Sequence, residues 1–188
     1  GCGNLGVLYQ KGEVVEKDLT KAAYFYSKAC GLNNGGGCSG LGFLYKSGKG
    51  VKQDLKKATQ SYSKACDLNN GGGCGNLGVL YQKGEVVEKD LTKAAYFYSK
   101  ACGLNNGGGC SGLGFLYKSG KGVKQDLIKA TQYLSKACDL KYGRGCNDLG
   151  ELYYNGEDVE KNLIKAAQYI SKACKLGDQK ACEVLKEK

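Results

Sequence analysis

The chain has 188 residues, a formal net charge of +10, 11 cysteines and 31 glycines, and it contains no histidine, methionine, tryptophan or proline. The absence of histidine excludes a His-ligated zinc site and an imidazole general base. No stretch approaches the ~18 apolar residues of a membrane-spanning helix, and the cysteine content is high for a reduced cytosolic protein. Because it has no initiator methionine or signal-like segment, we expect the chain to be processed, trimmed or engineered.

The cysteines divide the sequence into repeats. Successive cysteines lie alternately 28 and 8 residues apart, which gives a strict 36-residue period. A period of this length is typical of solenoids and propellers. The pattern predicts one repeat domain over 1–188, with copies 2–37, 38–73, 74–109, 110–145 and 146–181 and a partial copy 182–188.

The first segment of each copy has helical periodicity. In the first copy, Leu5, Leu8 and Tyr9 are spaced i, i+3 and i+4 and therefore share one helical face. Gly6 lies inside this segment, where glycine costs about 1 kcal/mol relative to alanine, and we attribute it to the close approach of a neighbouring helix. The alternative is that the helix ends at Gly6. A turn containing Gly12 follows.

The second segment of each copy is also predicted to be helical. Asp18 is a good N-cap for it, and the copy ends in a break at 32–37, which reads Leu-Asn-Asn-Gly-Gly-Gly. Each copy is therefore a helix–turn–helix unit, and we predict an all-α fold, an α/α solenoid of about eleven helices without a sheet. The residues that share one face of the second helix are Leu19, Ala22, Ala23, Tyr26 and Cys30.

The repeated frame resembles a known family. The pattern L-G-x-L-Y-x-x-G-x-x-V-x-x-D-L-x-K-A-x-x-x-x-S-K-A-C, which begins at Leu5 in the first copy, resembles the Sel-1-like repeat, a relative of the tetratricopeptide repeat. The added C-x7-C spacing makes the chain similar to the secreted, cysteine-rich Sel-1-like proteins of Helicobacter. The resemblance implies a helical solenoid stapled by disulfides and a parent family that is secreted or periplasmic.

The cysteines are expected to pair across the short loop. A tight glycine-rich turn brings the ends of two antiparallel helices within the roughly 4.4–6.8 Å between Cα atoms that a disulfide needs. Pairing across the 28-residue gap is the alternative and would leave Cys182 unpaired. The turn and the resemblance both favour the short loop, which leaves Cys2 as a free thiol able to link two otherwise monomeric chains. The predicted pairs are Cys30–Cys38, Cys66–Cys74, Cys102–Cys110, Cys138–Cys146 and Cys174–Cys182.

A second, longer repeat is also present. Residues 1–55 are identical to 73–127, surface positions included, so that Gln10 and Lys11 recur as Gln82 and Lys83. Natural repeats vary at the surface, and we therefore interpret the identity as deliberate duplication of a two-repeat module. A recent gene duplication is the alternative.

The positive charge is interpreted as a solvated lysine face. A basic balance is compatible with nucleic acid, but Arg144 is the only arginine, and phosphate or guanine recognition usually uses arginine forks. We expect no specific nucleic-acid partner, although non-specific binding at low salt stays open. The excess lies mainly in the second and fourth copies, where the inter-helix turns are flanked by Lys46, Lys49 and Lys52 and by Lys118, Lys121 and Lys124.

No enzyme, metal site or cofactor is expected. The Helicobacter proteins are associated with β-lactam binding and weak β-lactamase activity, and one S-x-x-K motif, Ser61 to Lys64, is present. The S-D-N and K-T-G motifs that accompany it in serine β-lactamases are absent. The position of Ser61 is occupied by Tyr133 in the duplicated module, so we interpret the motif as accidental. Neither a C-x2–4-C zinc knuckle nor a C-x-x-C redox motif occurs.

A binding groove is predicted on the first helices. In related helical solenoids these helices line the concave face, and the positions that escape the repeat frame lie i, i+3, i+6 apart on them. Such a stripe would suit an extended peptide or a protein partner, and plain packing between repeats is the alternative. The candidate groove residues are Asn4, Gln10, Phe43, Asn76, Gln82, Phe115, Glu151 and Tyr154.

Taken together, these features predict a non-catalytic, engineered repeat scaffold for structure or for protein or peptide interaction. The alternative is a secreted Sel-1-like interaction protein that binds a peptide or a β-lactam-like cell-wall ligand. The first hypothesis makes this chain a recombinant product of a secreted parent family.

Overall fold

The structure, a computed structural model, describes residues 1–156 and 159–186 and confirms the all-α prediction. Within these residues there are eleven α-helices and no strand, and they fall into two compact units, 1–89 and 90–188. That one solenoid runs through the whole chain stays a prediction. The first unit contains α1 (Cys2–Lys11), α2 (Leu19–Gly31), α3 (Gly35–Ser47), α4 (Leu55–Asp67) and α5 (Gly71–Lys83). The second unit contains α6 (Leu91–Gly103), α7 (Gly107–Ser119), α8 (Leu127–Asp139), α9 (Gly143–Asn155), α10 (Leu163–Lys175) and α11 (Gln179–Lys186).

Each unit is built by packing helices that are neighbours in sequence. In addition, α1 and α5 contact α3 in the first unit, and α7 contacts α9 in the second, so the first helices of successive copies lie side by side. A buried cluster in the first unit joins Tyr26 of α2 to Leu41 and Leu44 of α3. In the second unit Leu134 of α8 packs with two leucines of α9.

The turn inside each copy follows the sequence prediction. Gly12 ends α1 in the left-handed conformation, with φ of 73°. The backbone N–H of Asp18 donates to the carbonyl of Tyr9 at 3.0 Å, and the Asp18 carboxylate accepts from the backbone N–H of Lys21 at 2.9 Å. Asp18 therefore N-caps α2 as predicted.

The break between copies is shorter than predicted. The predicted break covers 32–37, but α3 already begins at Gly35. Asn33 takes a left-handed φ of 59°, and the Asn34 side chain accepts from the backbone N–H of Gly37 at 2.7 Å, so it caps the helix. Gly37 is instead a packing residue, because a Cβ there would lie 2.5 Å from the Cβ of Ala29 on α2.

Gly6 has the role that we attributed to it. The helix α1 continues through this residue to Lys11, so the alternative of a helix end at Gly6 is wrong. Gly6 is buried, and a Cβ there would lie 2.5 Å from Cδ1 of Tyr26. The missing side chain therefore lets the Tyr26 ring lie directly on α1.

Five cysteine pairs lie at disulfide distance, and all five span the short loop. Each pair joins the last turn of a second helix to the first turns of the next first helix, with Cα atoms 4.5–4.7 Å apart. Within the described residues Cys2 has no cysteine partner. The pairs are Cys30–Cys38 and Cys66–Cys74 in the first unit, and Cys102–Cys110, Cys138–Cys146 and Cys174–Cys182 in the second.

Candidate functional site

A cleft of about 740 Å³ opens in the second unit. Helix α7 forms one wall, α9 the other, and the turn from α10 into α11 closes one end. Leu134 of α8 lies at its base, where it is fully buried. The lining combines one aromatic ring with three acidic and three basic side chains, and its main members are Phe115, Lys118, Leu134, Arg144, Asp148, Glu151, Asp178 and Lys180.

The base of the cleft differs from the same position in the earlier copies. Leu134 occupies the repeat position that is tyrosine in the first three copies, Tyr26 among them. The Tyr26 hydroxyl donates a short hydrogen bond to Oε1 of Gln10, and the repeat position of Gln10 is occupied in the cleft by Lys118. Leucine has neither the ring nor the hydroxyl, so the base of the cleft is apolar and Lys118 has no tyrosine hydroxyl to bind.

Among the charged cleft residues that form an ion pair, Asp148 has the least exposed side chain. Its side chain is 19% exposed, and its Oδ2 lies 3.9 Å from Nε of Arg144. Burial raises the pKa of Asp148 above its usual 3.8, and the negative charges of Glu151 and Asp178 act in the same direction, while Arg144 and Lys118 oppose them. The carboxylate is therefore incompletely compensated.

Glu151 is held in place from both walls. Its Oε2 lies 3.7 Å from Nζ of Lys118 on α7, and its Oε1 accepts a hydrogen bond from Nδ2 of the buried Asn147 at 3.1 Å. The contact with Lys118 links the two walls of the cleft and engages its ammonium group, whereas the bond from Asn147 lies within α9. The Arg144 side chain, by contrast, is 66% exposed.

The predicted groove residues fall into distinct environments within each unit. In the first unit, Asn4 is exposed, Gln82 is half-buried, Gln10 accepts from Tyr26, and Asn76 donates to the carbonyl of Gly72 on its own helix at 2.9 Å. Gln10 and Asn76 are thus engaged within the fold.

The aromatic candidates are the more accessible ones. Phe43 in the first unit is 43% exposed and Phe115 in the second is 37% exposed. Phe115 and Glu151 line the cleft, whereas Tyr154 is exposed with Nζ of Lys161 5.7 Å from its ring centre. That the whole stripe forms one groove stays a prediction.

Sequence reasoning missed the base and the far end of the cleft. Leu134 lies on a second helix, and Asp178 and Lys180 lie after α10, so none of them belongs to the stripe on the first helices. One signal was available, since Leu134 interrupts a column of tyrosines.

The S-x-x-K motif lies on α4 without signs of a catalytic centre. Ser61 is half-buried and Lys64 is exposed in the last turn of the helix. Within 1–156 and 159–186, no group of three His, Cys, Asp or Glu side chains is arranged to hold a metal ion. In the same residues, no helix is long and apolar enough to cross a membrane.

Solved structures of related proteins share this fold. A Sel1 repeat protein from Oxalobacter formigenes is 28% identical, with a TM-score of 0.88 over 96% of this chain and 74% of that one. A protective antigen of uropathogenic Escherichia coli is also 28% identical, with a TM-score of 0.82 over 96% of this chain and 38% of that one. The cysteine-rich protein B of Helicobacter pylori is 44% identical, with a TM-score of 0.58 over 73% of this chain and 99% of that one.

No curated protein matches the sequence significantly. The sequence model of the Sel1 repeat, however, matches five times, at 1–34, 37–70, 73–106, 109–142 and 143–178. These matches cover nearly the whole chain, and the first four begin 36 residues apart, which is the period of the cysteines. The chain therefore belongs to the Sel1 repeat family.

Proposed function

We propose that the chain is a non-catalytic scaffold that binds an extended polypeptide and that it was assembled by deliberate duplication of a two-repeat module. The Sel1 repeat fold is suited to protein–protein interaction, and five cysteine pairs at disulfide distance indicate an oxidising, extracellular or periplasmic environment. The identity of 1–55 with 73–127 supports the duplication.

The observation that carries the proposal is the cleft between α7 and α9 with Phe115 on its wall. An open cleft of about 740 Å³ is large enough for side chains of a bound peptide. A partly exposed phenylalanine beside it supplies the kind of aromatic anchor that dominates binding energy at interfaces. The mixed charges of the lining supply polar contacts that would fix the orientation of the peptide.

The test is selection of linear peptides from a random displayed library on the oxidised protein, followed by affinity measurements on the enriched peptides. The variant Phe115→Val removes the ring, and valine already stands at this repeat position as Val79. We expect it to weaken binding about tenfold, since truncating an interface anchor typically costs more than 1 kcal/mol.

A matched control removes an exposed ring outside the cleft. Tyr96 on α6 is 63% exposed, and glutamine occupies its repeat position as Gln60. Tyr96→Gln should leave the affinity unchanged. The proposal is wrong if no peptide is enriched, or if both variants bind the selected peptides as the wild type does. The non-catalytic part is wrong if the protein hydrolyses nitrocefin and Ser61→Ala abolishes the turnover.

A further inference from the structure

Asp148 is an unusual residue for its place in the repeat. The same position is Asn4, Gly40, Asn76 and Gly112 in the four earlier copies, so among the five full copies only the last carries a charge there. Its carboxylate lines the cleft and is largely shielded from solvent. Within the described residues it accepts no hydrogen bond, and its contact with Nε of Arg144, at 3.9 Å, is too long to be one.

An enclosed carboxylate that accepts no hydrogen bond is energetically unfavourable, because the cost of desolvating its charge is not compensated. An ionised carboxylate has about four lone-pair sites, and its desolvation is compensated only by close, charge-assisted hydrogen bonds. The neighbouring cations do not supply these, because Lys118 is engaged by Glu151 and Arg144 projects mostly into solvent. The carboxylate oxygens of Asp148 can therefore accept hydrogen bonds from a donor that enters the cleft.

The rest of the lining suits a cation on an apolar stem. Leu134 supplies an apolar base and the Phe115 ring an apolar wall, and both line the same cleft as Asp148. The methylene groups of a lysine or arginine side chain pack on such apolar surfaces while its charged head extends to a polar group. An aromatic face also attracts a nearby cation.

We propose that the cleft binds a basic side chain, lysine or arginine, of the polypeptide, with its charged head on Asp148 and its stem on Leu134 and Phe115. This inference rests on the proposed function, since it names the side chain that the scaffold recognises. An acidic side chain is the rival ligand, because Lys118, Arg144 and Lys180 also line the cleft. It is disfavoured because an anion that entered the cleft would meet the enclosed carboxylate, whereas Arg144 is a solvent-screened charge.

Short, blocked, glycine-rich peptides that differ only in one central residue test the inference. Lysine, arginine, norleucine and glutamate peptides are titrated into the oxidised protein, and amide chemical shifts of Phe115, Leu134 and Asp148 are followed. We expect saturable shifts with the two basic peptides and binding about tenfold weaker or worse with norleucine, the neutral match of lysine, as a charge-assisted hydrogen bond implies.

The variant Asp148→Asn should remove the preference for the basic peptides. Asparagine is native at this repeat position as Asn76, so the variant is expected to fold, which circular dichroism verifies. The control is Asp139→Asn, which makes the same chemical change at an exposed residue at the end of α8, outside the cleft. This control should bind the basic peptides as the wild type does.

Each other outcome contradicts the inference. Equal binding of norleucine and lysine, stronger binding of glutamate, no saturable binding of a basic peptide, or an unchanged preference in Asp148→Asn would each refute it. Library peptides that depend on Phe115 but not on Asp148 would leave the proposed function standing while this inference fails. A library that yields no binder removes the proposed function itself, whatever the short peptides do.

Discussion

The glycine run at the start of α3 provides a sharp test of the packing described above. Gly36 and Gly37 are adjacent residues in the first turn, so the helix propensity gained on substitution by alanine is similar for both, up to about 1 kcal/mol. Their surroundings differ. A Cβ at Gly36 would meet only the Oδ1 of Asn34 at 3.3 Å, whereas a Cβ at Gly37 would lie 2.5 Å from the Cβ of Ala29 and 3.1 Å from the backbone nitrogen of Cys30.

The clash at Gly37 has no inexpensive relief. Carbon atoms pack best at about 3.5–4.0 Å, so the new methyl group would be at least about 1 Å too close to Ala29. The obstructing atoms are backbone and Cβ atoms, which cannot move to another rotamer, and the pair Cys30–Cys38 holds α2 and α3 together at this point. Overpacking of this kind costs about 1–3 kcal/mol.

The difference between the variants Gly36→Ala and Gly37→Ala therefore isolates the clash, and the size expected for it is the full range of the overpacking cost, about 1–3 kcal/mol. We expect Gly36→Ala to be as stable as the wild type or slightly more stable, and Gly37→Ala to be less stable than Gly36→Ala by about 1–3 kcal/mol. Urea unfolding of the oxidised proteins, followed by circular dichroism, gives the free energies of unfolding. Equal stability of the two variants would show that α2 and α3 do not approach each other as described.

Three further predictions follow from single side chains. Tyr62 is fully buried and its hydroxyl has no hydrogen-bond partner in the described residues, so Tyr62→Phe should raise the free energy of unfolding by about 1 kcal/mol. Tyr26→Phe loses the bond to Gln10 and should lower the free energy of unfolding by a similar amount. Urea unfolding measures both changes, and equal effects of the two variants would contradict the assignment. Burial raises the pKa of Asp148 in the folded state, so the fold favours the protonated carboxyl group. The stability that this protonated group contributes is fully present below the unfolded pKa near 3.8 and is lost as the pH rises through the folded pKa. Asp148→Asn should therefore raise the melting temperature at neutral pH, and this gain should vanish at acid pH, while a constant gain would exclude burial of the charge as its cause. Finally, we expect a thiol reagent to label one cysteine per native chain, at Cys2, and labelling retained in Cys2→Ser would disprove the pairing. Peptide mapping under non-reducing conditions should recover only the short-loop pairs.

The helices and their ends could be predicted because their signals are local. Apolar spacing locates each segment, and Asp18 and Gly12 occupy positions whose capping chemistry is readable from sequence. The run of three glycines misled the prediction at the next boundary, because glycine usually marks a turn. Here Asn34 had already capped the helix, and Gly37 was required by contact with Ala29, a residue of the preceding helix.

The candidate site could be predicted only in part, because it is assembled from four elements, namely α7, α8, α9 and the turn from α10 into α11. The spacing on the first helices led to Phe115 and Glu151, which face the same cleft. Leu134 and Asp178 come from a second helix and from the turn after α10, and their proximity depends on how these elements pack. The burial that alters Asp148 is likewise a property of the packed helices and cannot be assigned from one helix alone.

The identity of 1–55 with 73–127 gives the two units the same frame, and the copies that follow make them differ beside one aromatic position. Phe43 and Phe115 occupy the same position in the two identical segments, and a further copy follows each of them. That following copy supplies Asn76 in the first unit and Asp148 in the second, so the same aromatic position is followed by a neutral side chain in one unit and by an acidic one in the other. Because both residues are accommodated by the same helix–turn–helix frame, we expect the charge at this position to influence ligand preference, while the glycines, caps and cysteine pairs stabilise the fold. Specificity in such an array is therefore expected to reside in the order of its copies more than in any single repeat.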